Sequence, residues 1–156
     1  MSRRPSESGF TLAELLVVVA VLGILATLSV SGFQALTQSQ QVKNASFELF
    51  SSLSLARSEA IKRNSNVTVT PVNAADWGLG WAITSAGGES IKSQSALKGV
   101  SIAAIGAPAS VVYARTGRAA ATASFQIDVT ATATDNIRCI RLELSGMPRT
   151  IKGACT

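Results

Sequence analysis

A long apolar run near the start of the chain limits what the sequence can fold into. From Phe10 to Phe33 nearly every residue is apolar, and Glu14 carries the only charge. As a helix this run is about 36 Å long, which is enough to cross a bilayer core of about 30 Å. Arg3 and Arg4 precede it and favour a cytoplasmic N-terminus. We therefore predict a single membrane span, with the rest of the chain on the far side.

The composition of the 156-residue chain excludes most catalytic chemistry. It contains no histidine, which removes the commonest general base and the commonest metal ligand. The glycine-rich phosphate-binding motifs GxGxxG and GK[ST] are also absent. We therefore predict a protein that is not an enzyme and that has neither a metal site nor a cofactor.

The helix is predicted to continue beyond the membrane as an amphipathic segment. Neither proline nor glycine occurs between Leu36 and Asn64. Apolar residues at spacings of three and four form one stripe, namely Val42, Ala45, Leu49, Leu53, Ala56 and Ala60. One helix should therefore run from about residue 11 to about residue 64, and its second half needs a partner surface.

After the helix the apolar residues follow the two-residue period of β-strands. The predicted strands cover residues 67–72, 81–84, 100–105, 111–113, 124–129 and 137–144. Strands that follow one helix without βαβ alternation favour an antiparallel sheet packed on that helix. The predicted fold class is therefore α+β. Trp77 and Trp81 flank a glycine-rich turn, where a core role is favoured over a ligand-stacking pair.

Two cysteines, Cys139 and Cys155, lie close to the C-terminus. If this part of the chain lies outside the cytoplasm, a disulfide between them is the natural interpretation. In the chain-entropy model such a bridge contributes about 3 kcal/mol to stability. Two free, buried thiols are the alternative.

The segment GFTLAELL at residues 9–16 resembles the processing site of type IV prepilins and type II secretion pseudopilins. In that family a prepilin peptidase cuts after the glycine on the cytoplasmic side and methylates the new N-terminal residue. The resemblance therefore implies cleavage between Gly9 and Phe10 and methylation of Phe10. Glu14 takes the place of the family's glutamate, which pairs with the N-terminal amine of a neighbouring subunit. Ala13 departs from the isoleucine of many pilins.

Later segments resemble the GspH/FimT branch of the family, which includes FimU. These segments are ARSEA at 56–60, WGLGW at 77–81, RTGR at 115–118 and LSGMPR at 144–149. The resemblance implies a minor pilin or minor pseudopilin with three parts. They are a leader peptide (1–9), a transmembrane and assembly helix (10–35) and a periplasmic globular domain (36–156). Its partners would be other pilin or pseudopilin subunits, the prepilin peptidase and the inner membrane.

Basic residues outnumber acidic ones after residue 110. The basic residues there are Arg115, Arg118, Arg138, Arg141, Arg149 and Lys152, against Asp128, Asp135 and Glu143. On charge alone, a solvated face or a subunit interface is favoured over a nucleic-acid site. However, FimT-like proteins are associated with DNA capture in natural transformation through basic residues of the C-terminal region.

This resemblance makes four residues candidates for non-specific binding of double-stranded DNA, namely Arg138, Arg141, Arg149 and Lys152. Residues 138 and 141 have opposite parity on a strand and should face different sides. Residues 149 and 152 are predicted to be exposed in the disulfide loop. Lys43, on the helix, is predicted to lie far from this region.

Three hypotheses for function remain open. The first is a FimT/FimU-like minor type IV pilin that helps to prime a pilus and binds DNA. The second is a GspH-like minor pseudopilin of a type II secretion system, which need not contact DNA. The third is a membrane-tethered periplasmic binding domain that never polymerises, and the processing motif argues against it.

The processing site generates a first testable prediction. A side chain at position 9 should hinder the peptidase, so Gly9→Val should leave the leader attached. Mass spectrometry of the membrane fraction measures the N-terminus directly. A wild-type chain that still begins at Met1 in cells with an active prepilin peptidase would contradict the family assignment.

Overall fold

The computed structural model describes residues 10–106, 108–129 and 136–156, without the side chains of 27–32 and 34–35. The predicted leader, with Gly9, lies outside the described residues, as does Asp135. The chain divides into two compact units, residues 1–36 and residues 37–156. Each unit is described by itself.

A single helix, α1, spans Leu12–Arg63, so the predicted helix from about 11 to about 64 is confirmed. In the first unit, every described side chain from residue 10 to residue 26 is exposed. Within the part of the chain that the structure describes, no helical segment combines the length and the apolarity of a membrane span. The span predicted for residues 10–35 stays a prediction.

The second half of α1 buries the predicted apolar stripe. Its residues are 0–1% exposed, namely Val42, Ala45, Leu49, Leu53, Ala56 and Ala60. Lys62 and Arg63 lie in the last turn, where positive charge complements the helix dipole. The helix stops at Asn64, which has a φ of 49°.

Among the described residues, eight strands form two antiparallel four-stranded sheets rather than the single predicted sheet. The first sheet has the order β3-β2-β1-β5, with β1 at Val67–Pro71, β2 at Gly80–Ser85, β3 at Ser90–Ser95 and β5 at Val111–Tyr113. The second has the order β4-β6-β7-β8, with β4 at Val100–Ile105, β6 at Ala123–Val129, β7 at Arg138–Leu142 and β8 at Pro148–Lys152. All six predicted strands are present, whereas β3 and β8 were not predicted.

The tryptophan-rich turn joins the two sheets. Trp77 and Trp81 are at most 1% exposed, so their predicted core role is confirmed. The Trp77 ring packs edge-on against Phe125 of β6, with 4.8 Å between the ring centroids. Asp76 accepts hydrogen bonds at 2.8 Å from the backbone N–H groups of Gly78 and Ile102. One carboxylate oxygen therefore ties the β1–β2 connection to β4 of the second sheet.

Three segments that carry the family resemblance meet at the surface of α1, and one of them is part of the helix itself. Arg57 donates a hydrogen bond from Nε to the carbonyl oxygen of Gly117, at 3.0 Å. Gly146 packs so closely on Gly117 that a Cβ at position 146 would overlap the same carbonyl oxygen. We call this contact of Arg57, Gly117 and Gly146 the glycine clasp. It fixes the β7–β8 turn against the helix.

The glycine clasp generates a second prediction. Gly146 and Gly88 have nearly equal φ values, 80° and 81°, but a Cβ at Gly88 would meet no atom within 4 Å. Gly88→Ala should therefore lower the free energy of unfolding by about 1–2 kcal/mol, because alanine is strained in the left-handed backbone conformation. Gly146→Ala should lose about 1–3 kcal/mol more through overpacking.

Urea unfolding of the full chain in neutral detergent, followed by tryptophan fluorescence, measures both variants. Equal losses at the two positions would show that the close approach of Gly146 to Gly117 contributes nothing.

Candidate functional site

The first candidate site is the start of α1, where Thr11 and Glu14 cap the helix. The Glu14 carboxylate oxygen Oε2 accepts hydrogen bonds from the backbone N–H and the hydroxyl of Thr11, both at 3.0 Å. In return, the backbone N–H of Glu14 donates to the Thr11 hydroxyl at 3.3 Å. This reciprocal pattern is a capping box.

The capping box places the Glu14 carboxylate beside the residue that the resemblance makes the mature N-terminus. Phe10 directly precedes Thr11 in the chain and is 81% exposed. Its backbone nitrogen is therefore one residue away from the Thr11 N–H, which donates a hydrogen bond to Glu14. The family resemblance assigns a role to Glu14 and none to Thr11. The Thr-x-x-Glu spacing at residues 11–14 is the signal that identifies it.

The second candidate site is formed by the basic residues of β7 and β8. The strand register pairs Arg138 with Lys152 and Arg141 with Arg149. Arg138 shares its side of β7 with the buried residues Ile140 and Leu142. We call Arg138 and Lys152 the inner pair, and Arg141 and Arg149 the outer pair.

The two pairs lie on opposite faces of the ribbon, so the structure does not bring the four predicted residues together. Arg149 and Lys152 lie within the loop that the disulfide closes, as predicted, but the structure places them on strand β8, which was not predicted. Both are exposed, and they alternate in direction because their strand has a two-residue period.

Lys43 of α1 joins the inner pair, which contradicts the prediction that it lies far away. Lys43, Arg138 and Lys152 line one pocket of about 200 Å³, together with Ser39 and Asn136. The helix passes this end of β7, so residues separated by about a hundred positions in sequence become neighbours. We call this site the three-cation pocket.

These basic side chains have no acidic partner among the described residues. The ion pairs found there lie elsewhere, between Glu59 and Lys62 or Arg63, between Arg63 and Glu89, and between Lys92 and Glu48. Arg141 instead donates a hydrogen bond to the Thr156 hydroxyl at 3.0 Å. Like charges directly opposite each other on neighbouring strands are destabilising. An anion bound between them would remove that cost.

Cys139 and Cys155 form a disulfide in the structure, with 5.1 Å between their Cα atoms. Cys139 is fully buried on β7, between the two arginines of that strand. The bridge therefore fastens the C-terminal tail to β7 and holds Thr156 within reach of Arg141.

A family model supplies the first comparison with known proteins. The model described as "Type II transport protein GspH" matches residues 45–146, which is more than half of the chain. The chain belongs to the GspH family. A second model, the prokaryotic N-terminal methylation motif, matches residues 4–30 of this GspH-family protein. That match contains Gly9, Phe10 and Glu14.

Solved structures show the same fold. The type IV minor pilin FimU of Pseudomonas aeruginosa is 21% identical, with a TM-score of 0.64 over 72% of this chain and 90% of FimU. The minor pseudopilin EpsH of the Vibrio cholerae type 2 secretion system is 15% identical, with a TM-score of 0.58 over 72% of this chain and 97% of EpsH. Among curated protein sequences, none matches this GspH-family protein significantly. The fold is therefore shared by a pilus subunit and a secretion subunit.

Proposed function

We propose that this GspH-family protein is a minor type IV pilin. It inserts in the inner membrane through residues 10–35, is cleaved after Gly9 and methylated at Phe10 by a prepilin peptidase, and joins a pilus whose assembly it helps to prime. The observation that carries the proposal is the N-terminal methylation motif on the same chain as the GspH domain. Residues 36–156 then lie in the periplasm before assembly.

Glu14 is proposed to pair with the Phe10 amine of a neighbouring subunit. Removal of the leader creates a positive amine beside the capping box, and a carboxylate in an apolar surrounding is stable only when a partner compensates its charge. Thr11 holds the Glu14 carboxylate in place through two hydrogen bonds, so the acceptor is oriented before a neighbour arrives.

Binding of double-stranded DNA, for uptake in natural transformation, is the second part of the proposal. The inner and outer pairs supply four cations that have no ion pair among the described residues. Lysine and arginine contacts to phosphates give affinity without base specificity. A GspH-like pseudopilin of a type II secretion system is the alternative, favoured by the fold of EpsH. Its cations would face neighbouring subunits.

The assembly role is tested by a third prediction, on Glu14→Ala and Glu14→Gln. Gln keeps an oxygen that can cap the helix but has no charge, whereas Ala removes both. If Glu14 pairs with an amine, both variants should enter the membrane normally and both should be scarce in sheared filaments. Immunoblots of membrane and filament fractions measure the two steps. Wild-type incorporation of Glu14→Gln would limit Glu14 to capping its own helix.

DNA binding is tested by a fourth prediction, with variants matched in charge. Arg138→Gln with Lys152→Gln removes the inner pair, and Arg141→Gln with Arg149→Gln removes the outer pair. Wild-type affinity for duplex DNA should be weak, around 10⁻⁴ to 10⁻⁶ M, because only a few phosphates are contacted. Loss of the inner pair should lower the salt slope by about two. Loss of the outer pair should lower the salt slope less, because the outer pair lies on the face of the ribbon opposite the three-cation pocket.

Titration of the full chain in neutral detergent with labelled duplex DNA, at several salt concentrations, measures these slopes. Lys98→Gln, on the connection between β3 and β4, is the charge control. Absence of salt-dependent binding by the wild type would favour the pseudopilin alternative.

A further inference from the structure

An exposed aromatic side chain lies next to the three-cation pocket. Phe47 is 68% exposed, whereas Phe125 in the core is fully buried. Phe47 follows Lys43 by one helical turn, so the two side chains are neighbours on the helix surface. Covering a large exposed aromatic ring with a partner removes apolar surface from water, which is favourable. Phe47 is therefore a candidate contact for a ligand.

Phe47 lines an open groove together with two of the three cations of the pocket. An open groove of about 420 Å³ is lined by Phe47, Phe50, Thr150, Lys43 and Arg138. The last two residues also line the three-cation pocket. The groove therefore combines positive charge with aromatic surface. The hydroxyl of Thr150 provides a hydrogen-bonding group on the strand side.

We propose that this groove binds single-stranded nucleic acid in preference to duplex. A phosphate lies in the three-cation pocket, and the neighbouring base stacks on Phe47. The combination of a basic groove with an aromatic platform is the physical basis of single-strand binding, since every base has a face that can stack. In a duplex the bases already stack on one another, so Phe47 has no base to contact. The inference rests on the proposed DNA binding and extends it from duplex to single strands at this groove.

The outer pair lacks the aromatic component. Arg141 and Arg149 share their side of the ribbon with Cys139 and Ile151, and no aromatic residue lies on these strands. That face can attract phosphates but cannot stack a base. Preference for single strands is therefore a property of the inner groove alone.

The test uses the full chain in neutral detergent with two labelled probes, a 12-residue oligothymidylate and a duplex of the same length. Fluorescence anisotropy at fixed low salt measures both affinities. The single strand should bind more tightly than the duplex. Phe47→Ala should weaken single-strand binding about tenfold, because a stacked base contributes strongly to such complexes. The same change should leave duplex binding within about twofold.

Conservative variants separate stacking from simple apolar contact. Phe47→Trp should bind the oligothymidylate at least as tightly as the wild type, whereas Phe47→Leu should behave like Phe47→Ala. Val72→Ala removes an equally exposed apolar side chain, 76% exposed, on the β1–β2 connection and should have no effect. Tryptophan fluorescence of each variant confirms that the core is intact.

Two outcomes would overturn the inference in distinguishable ways. Equal affinity for both probes, unchanged in Phe47→Ala, rejects the stacking groove but leaves duplex binding in place. Absence of binding to either probe rejects both the groove and the proposed DNA binding. A Phe47→Ala chain that binds the single strand normally but is lost from filaments would assign Phe47 to a subunit contact instead.

Discussion

Burial of one helical stripe is the interaction on which the rest of the globular unit depends. Ala45, Ala56 and Ala60 are at most 1% exposed, so this face of the helix is covered along its length. Leu49 and Leu53 are fully buried in the hydrophobic core cluster. The core cluster contains residues of this helix face and residues of strands in both sheets. Among the polar residues of this half of the helix that the structure describes, only Ser46 and Ser52 are buried.

The parts of the fold that depend on local periodicity could be predicted from the sequence, and the parts that depend on distant pairing could not. β6 alternates buried and half-buried residues, and its pattern identifies it. β3 is a polar edge strand, and β8 buries only Pro148, so neither shows the alternation that marks a strand. The two sheets are joined by contacts between distant residues, such as the hydrogen bond from the Ile102 N–H to the Asp76 carboxylate, which no local pattern encodes.

The candidate sites divide in the same way. The capping box of Thr11 and Glu14 lies within one helical turn, so its spacing can be recognised in the sequence. The opposite directions of Arg138 and Arg141 follow from strand parity, as predicted. Lys43 could not be assigned to the pocket, because its proximity to Lys152 arises only when β7 pairs with β8 beside the helix.

Protection of a sheet edge does not explain the basic pairs. β8 is an edge strand, and charged residues such as Lys152 on an edge discourage pairing with other chains. Edge protection, however, needs charge only on the edge strand. β7 is an inner strand between β6 and β8, and yet it places Arg138 and Arg141 directly opposite the cations of β8. The glycine clasp fixes the β7–β8 turn and the disulfide fastens the C-terminal tail to β7, so both ends of this ribbon are held in the register that pairs the cations. The proposed binding of a phosphate would relieve the repulsion between them.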